Sequence, residues 1–176
     1  MELVHFSVDD AVATITLDSP HNRNALSRQL VTELFGHLRT AAADDAVRVV
    51  LIASAGKVFC SGADLSEATA DGMEEGAKRI VELQRQIVSM DKPVVVRAYG
   101  AVRAGGIGIV AASDIAIASE SATFALTEVK LGLAAAIISL TVHHRMNPRA
   151  AALTTLGGEV FSGAEAAAYG LSLIHI

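Results

Sequence analysis

Residues 93–118 read PVVVRAYGAVRAGGIGIVAASDIAIA, and this stretch decides the fold class. Pro93 opens a nearly continuous apolar run from Val94 to Tyr99, the pattern of a strand covered on both faces. Gly100 to Gly106 is a glycine-rich loop that enters a short helix ending near Ala112. Asp114 to Ala118 is a second buried strand. A strand, a loop, a short helix and a further strand within so few residues point to an α/β arrangement.

Upstream the same grammar repeats. Val47 to Ala53 reads as a buried strand and Ser54 to Ala63 as a loop with two glycines. A helix from about Met73 to Met90 places Ile80, Leu83, Ile87 and Met90 at helical spacing. The chain opens with a predicted hairpin, Leu3–Val8 and Ala11–Leu17, turning at Asp9-Asp10. Ser27 is positioned to cap a helix that carries Leu30, Val31, Leu34 and Leu38 on one face. Downstream, Thr123 to Leu126 is a short strand, after which helices dominate. No internal repeat indicates a solenoid.

Composition narrows the function classes. The chain has 176 residues, is 52% hydrophobic and only 4% aromatic, so aliphatic side chains must build one domain-sized core. A net charge of −5 without a basic stripe gives no sign of a nucleic-acid partner. No apolar run reaches the ~18–20 residues of a membrane span, and Glu2, Asp9 and Asp10 do not suit a signal peptide. The expectation is a cytoplasmic protein with no membrane partner. Cys60 is the one cysteine, which excludes an internal disulfide and a cysteine-based metal site. His143 and His144 are adjacent and diverge by about 100° on a helix, so no metal is expected.

Two catalytic outlines fail on inspection. Gly106-Ile107-Gly108-Ile109-Val110-Ala111 has the form GxGxxA, and Glu128 follows about 20 residues later, as in a dinucleotide fingerprint. However, the strand ends near Tyr99, several residues before the glycines, and too little helix separates it from the strand at Asp114 for an ordinary crossover. No GxSxG elbow exists, and neither Cys60 nor Ser61 has a histidine partner that the sequence places.

Two loops remain. Phe59-Cys60-Ser61-Gly62-Ala63-Asp64-Leu65 and Gly100 to Gly106 each follow the carboxyl end of a buried strand, where open α/β sheets place ligands. Gly105 and Gly106 also begin a helix whose free N–H groups attract negative charge. Read singly, such glycines more often simply make turns.

Taken together with their surroundings, these segments resemble the enoyl-CoA hydratase/isomerase (crotonase) family. Ile15-Thr16-Leu17-Asp18-Ser19-Pro20 with Asn24-Ala25-Leu26 is similar to its opening signature, and Phe59 to Leu65 to its first oxyanion loop. Lys92-Pro93-Val94 through Ala104-Gly105-Gly106 to Ser113-Asp114-Ile115-Ala116 is similar to the second loop. Phe124 to Leu133 resembles the segment bearing a catalytic glutamate.

The resemblance implies a crotonase-like spiral of ββα units that binds coenzyme A thioesters and stabilises an enolate. It implies that the N–H groups of Ala63 and Gly105 hold the thioester oxygen and that Glu128 is the acid/base. Arg23, Ala25, Cys60, Asp64, Leu65 and Gly106 would lie along the coenzyme A path, with Arg23 as phosphate partner. No permanently bound cofactor is implied; coenzyme A enters as part of the substrate. A core over residues 1–160 is expected, followed at 161–176 by the start of a C-terminal helical region that is cut short. A homotrimer or dimer of trimers is expected of a full-length protein.

The sequence departs from the family at Gly108, where hydratases of the family carry the first of two glutamates. One carboxylate suits double-bond isomerisation directly, whereas hydration remains open if a substrate group helps to hold the water. A non-catalytic acyl-CoA binder is the reading from another class, and the retained Glu128 speaks against it. Ala135 stands where a proline is frequent. Leu171 to Ile176 does not resemble the family's continuation, and Val129, Leu131, Leu133, Ile137, Ile138 and Leu140 are expected near an uncovered apolar face.

Overall fold

The computed structural model describes residues 1–67 and 70–175. Ile176, the last residue of the unusual ending, lies outside them. The N-terminal hairpin pairs β1 (Val4–Asp9) with β2 (Val12–Leu17) in antiparallel register, Val4 opposite Leu17 and Asp9 opposite Val12. Its turn is Asp10-Ala11, one residue later than the sequence indicates, because both residues take positive φ of 44° and 64°. Two left-handed residues match the twist of a tight hairpin.

Helix α1 (Arg28–Ala43) is capped as expected: the Ser27 hydroxyl accepts a hydrogen bond from the Leu30 N–H, and Leu30, Val31, Leu34 and Leu38 are buried. The Glu33 carboxylate accepts from the N–H groups of Leu3 and Val4 at 2.7 and 2.9 Å, fastening α1 to the hairpin edge. Truncating a core leucine such as Leu34 would cost about 2–5 kcal/mol.

Three strand pairs then wind the chain into a spiral. β3 (Val49–Ser54) is followed by β4 (Val58–Cys60), β5 (Val94–Ala98) by β6 (Ala101–Arg103), and β7 (Ile115–Ala118) by β8 (Thr123–Ala125). The first strand of each pair joins one sheet and the second joins another. The larger sheet has the order β1-β2-β3-β5-β7-β10, with β10 at Ile174–His175, and the smaller β4-β6-β8-β9, with β9 at Phe161–Ser162. β3, β5 and β7 run parallel, as do β4, β6 and β8. The short strands β4 and β6 lie inside stretches expected to be loops. With only three residues each, they carry too little periodicity to stand out from the glycines around them.

α2 (Ala70–Val88) buries Ile80, Leu83 and Ile87, and also Gln84. α3 (Gly105–Ala112) is buried along its whole length, as an all-apolar helix must be. The glycines of the false dinucleotide outline are therefore core positions. After β8 come α4 (Ala136–Arg145), α5 (Pro148–Gly157) and α6 (Gly163–Ala168). The region expected to be helical beyond residue 160 also supplies β9 (Phe161–Ser162), paired with β8, and β10 (Ile174–His175), paired with β7. Of the residues expected at an apolar face, Val129, Leu131, Leu133 and Leu140 are exposed, whereas Ile138 is buried. No helix among the described residues is long and apolar enough to cross a membrane.

Candidate active site

β4 and β6 are adjacent parallel strands, so the loops leaving them must meet. Beyond β4 the chain passes Gly62 at a φ of 98°, and a methyl group there would stand 3.1 Å from the Ala104 Cβ. Gly106 faces Cys60 even more closely, since a Cβ on it would lie 2.7 Å from the Cys60 Cβ. The neighbours of these glycines, Ala63 and Gly105, both line one cavity.

The segment between β2 and α1 holds the first loop from outside. Leu26 N donates to the Gly62 carbonyl at 2.8 Å, and Ser61 N donates to the Arg23 carbonyl at 3.1 Å. The Ser61 hydroxyl donates to the Asn22 carbonyl, and the Asn22 amide donates to Asp64 at 2.9 Å. Asn24 is buried: its side-chain oxygen accepts from Ser19 N at 2.6 Å and its amide donates to the Val58 carbonyl at 2.9 Å. Hydrogen bonds from Ser66 and Asn22 keep the Asp64 carboxyl below its usual range despite partial burial.

The second loop turns at Ala104, whose φ of 45° and ψ of −116° are unusual for a residue with a side chain. Its N–H donates to the Ala125 carbonyl at 3.2 Å. That turn delivers Gly105 as the first residue of α3, a position whose N–H has no acceptor within its own helix. A Cβ on Gly105 would meet Leu26 Cδ1 at 2.6 Å, so a side chain there would displace the end of Leu26.

The cavity has a volume of about 300 Å³ and is walled chiefly by Leu26, Ile80, Leu133, Ala135, Ile137 and Ile138. Ala63, Gly105 and Glu128 all line it, together with Asp64 and Leu65. Glu128 opens a short 3-10 turn, Glu128–Leu131, closed by Gly132 at a φ of 72°. Its Oε2 is buried and has no hydrogen-bond partner. Burial pushes the Glu128 carboxyl above its ordinary pKa, partly offset by its own backbone N–H.

Four of the residues implied by the resemblance do not line this cavity. Arg23 is exposed with a φ of 58°, while Ala25, Cys60 and Gly106 are buried in packing. Burial pushes the Cys60 thiol up to about 12, so it is not a nucleophile. Ile107 and Ile109 are fully buried and do not line the cavity. Beside Gly108 stand Ile138, expected near an apolar face, and Gln84, which the sequence did not single out. Among the described residues, no three His, Cys, Asp or Glu side chains gather as a metal-holding group.

The cavity thus brings together the first residue of α3, the loop after β4 and the unpartnered Glu128 oxygen. The family described as Enoyl-CoA hydratase/isomerase matches residues 7–173. The structure of an enoyl-CoA hydratase from Mycobacterium avium is 45% identical, with a TM-score of 0.92, and the match covers 99% of this chain and 70% of that one. Human enoyl Coenzyme A hydratase domain-containing protein 3 is 28% identical with a TM-score of 0.95, covering 99% and 70%. The Escherichia coli 1,2-epoxyphenylacetyl-CoA isomerase is 31% identical over 140 residues, covering 76% of this chain and 53% of its own. The chain spans about two thirds of the length of the curated relatives from Thermus thermophilus and Bacillus subtilis, 66% and 68%. With the spiral of paired strands, the shared cavity and a family match running through almost every element, this chain belongs to the enoyl-CoA hydratase/isomerase family.

Proposed function

We propose that the chain carries the active site of an enoyl-CoA isomerase acting on a 3-enoyl-CoA thioester, with Glu128 as its acid/base. The single observation supporting this reading is the unpartnered, buried Glu128 Oε2 in a cavity that also reaches Ala63 and Gly105. A proton beside a thioester carbonyl is weakly acidic, so its removal requires stabilisation of the enolate oxygen. In this reading the Ala63 and Gly105 N–H groups supply it, each contributing typically ~10²–10³ in rate.

The Glu128 carboxylate takes a proton from C2, and the C–H electron pair enters the dienolate. The same carboxyl group then delivers that proton to C4, and the double bond settles between C2 and C3. No water is consumed and Glu128 ends ionised, as it began. A carboxyl group held above its ordinary pKa by burial suits both halves of the exchange. Coenzyme A enters and leaves with the substrate, its nucleotide end directed toward the exposed Arg23. A cytoplasmic setting and a trimeric assembly of the longer protein complete the reading.

The test is a panel of 2-enoyl-CoA and 3-enoyl-CoA thioesters followed by product analysis. The reading expects conversion of the 3-enoyl to the 2-enoyl thioester and little hydration. Rapid formation of a 3-hydroxyacyl thioester would replace isomerisation with hydration.

A further inference from the structure

Gly108 lies one helical turn beyond Gly105 in α3, buried behind Ile138, which itself lines the cavity. A Cβ on Gly108 would stand 2.7 Å from Ile138 Cγ2 and 3.1 Å from both Cδ and Oε1 of Gln84. The space beside this glycine is therefore filled by two neighbours, one from α2 and one from α4.

Gln84 is an unusual neighbour for such a place. It is only 4% exposed, and a buried amide is costly unless its hydrogen bonds are met. Here they are met across two helices. Its Nε2 donates to the carbonyls of Ile80 and Ile137, both at 3.2 Å, and its Oε1 accepts from the Thr141 hydroxyl at 2.7 Å. Ile80 and Ile137 both line the cavity. A leucine at position 84 would cover apolar surface equally well but would not tie α2 to α4.

We propose that Gln84 is a specificity-determining positioning residue: with Ile138 it seals the cavity end at Gly108, keeping water away from the Glu128 carboxyl group so that proton transfer stays within the substrate. The inference rests on the one-carboxylate isomerase reading. Gln84 touches neither substrate nor Glu128 in this account; it acts by holding Ile80, Ile137 and Ile138 in place. Without its carboxamide the cavity would extend toward Gly108 into space bounded by the polar Thr141 hydroxyl, where water has partners.

The experiment uses a 3-enoyl-CoA carrying deuterium at C2. Label retained at C4 and the ratio of 3-hydroxyacyl to 2-enoyl product are measured for the parent, Gln84→Ala, Gln84→Met and Ile138→Ala. The parent should retain label and form almost no hydroxyacyl product. Gln84→Ala and Ile138→Ala should each lose label to solvent severalfold more and raise the hydroxyacyl share. Gln84→Met keeps the bulk without the hydrogen bonds, so its partition should shift in the same direction as that of Gln84→Ala.

A folded Gln84→Ala with parental retention and product ratio would overturn the proposal, as would a Gln84→Met that keeps the parental partition. Should Gln84→Ala fail to fold, unchanged partition in Ile138→Ala overturns it equally. A parent that hydrates 2-enoyl-CoA rapidly removes the isomerase reading and the proposal with it. A parent that isomerises while both opened variants keep its partition removes the proposal alone.

Discussion

Gly106 and Cys60 approach so closely that a methyl group on the glycine would lie 2.7 Å from the cysteine Cβ and 3.1 Å from its Sγ. This contact joins the start of α3 to the end of β4, and so joins the two loops that flank the cavity. Cys60 matters here for its size and its burial.

Gly106→Ala should therefore destabilise the chain by about 1–3 kcal/mol, the usual cost of overpacking a core. Chemical denaturation measures this directly. Cys60→Gly, which removes both the Cβ and the sulfur, should recover part of the loss in the double variant, and additive effects would contradict the contact.

Ala104 holds a φ of 45° and ψ of −116° immediately before Gly105. Backbone outliers of this kind cost about 1–3 kcal/mol. Ala104→Gly should then leave stability unchanged or raise it, while lowering kcat because the Gly105 N–H is aimed less firmly. Thermal melting alongside turnover checks the pair of effects; a clear fall in Tm would contradict the strain argument.

Gly105→Pro deletes one N–H donor at the first position of a helix, where proline is otherwise well tolerated. Turnover should fall ~10²-fold or more. Gly105→Ala serves as control, since it keeps the N–H and displaces only Leu26. Retained turnover in a folded proline variant would remove Gly105 from the mechanism.

Glu128 also ties stability to pH. Its carboxyl is raised above the ordinary value by burial, so between that ordinary value and the raised one the folded state binds more protons than the unfolded state. Stability from this group is fully present at acid pH and is lost as pH rises through the folded value. Glu128→Gln should therefore raise Tm at neutral pH, with the gain shrinking as the pH is lowered. A gain independent of pH would contradict the burial argument.

Much of this molecule is written plainly in its sequence. The capped helix at Ser27, the buried strands and the glycine loops follow from spacing and turn chemistry. Other features depend on contacts between distant segments. β4 and β6 are recognisable only when paired with one another. The Asn24 amide donates to the Val58 carbonyl, 34 residues away, which no local pattern announces. Gln84 sits in an otherwise ordinary amphipathic helix, and its partners Ile137 and Thr141 lie more than 50 residues away. Ala63, Gly105 and Glu128 come from three separate segments, and the resemblance brought them together before the fold did.

The most direct measurement of the central claim is turnover of a 3-enoyl-CoA by the parent and by Glu128→Gln, with thioester binding followed in parallel. The account predicts unchanged binding and a loss of turnover of ~10² or more, as expected for removing a general acid/base. Turnover within about twofold of the parent would contradict it.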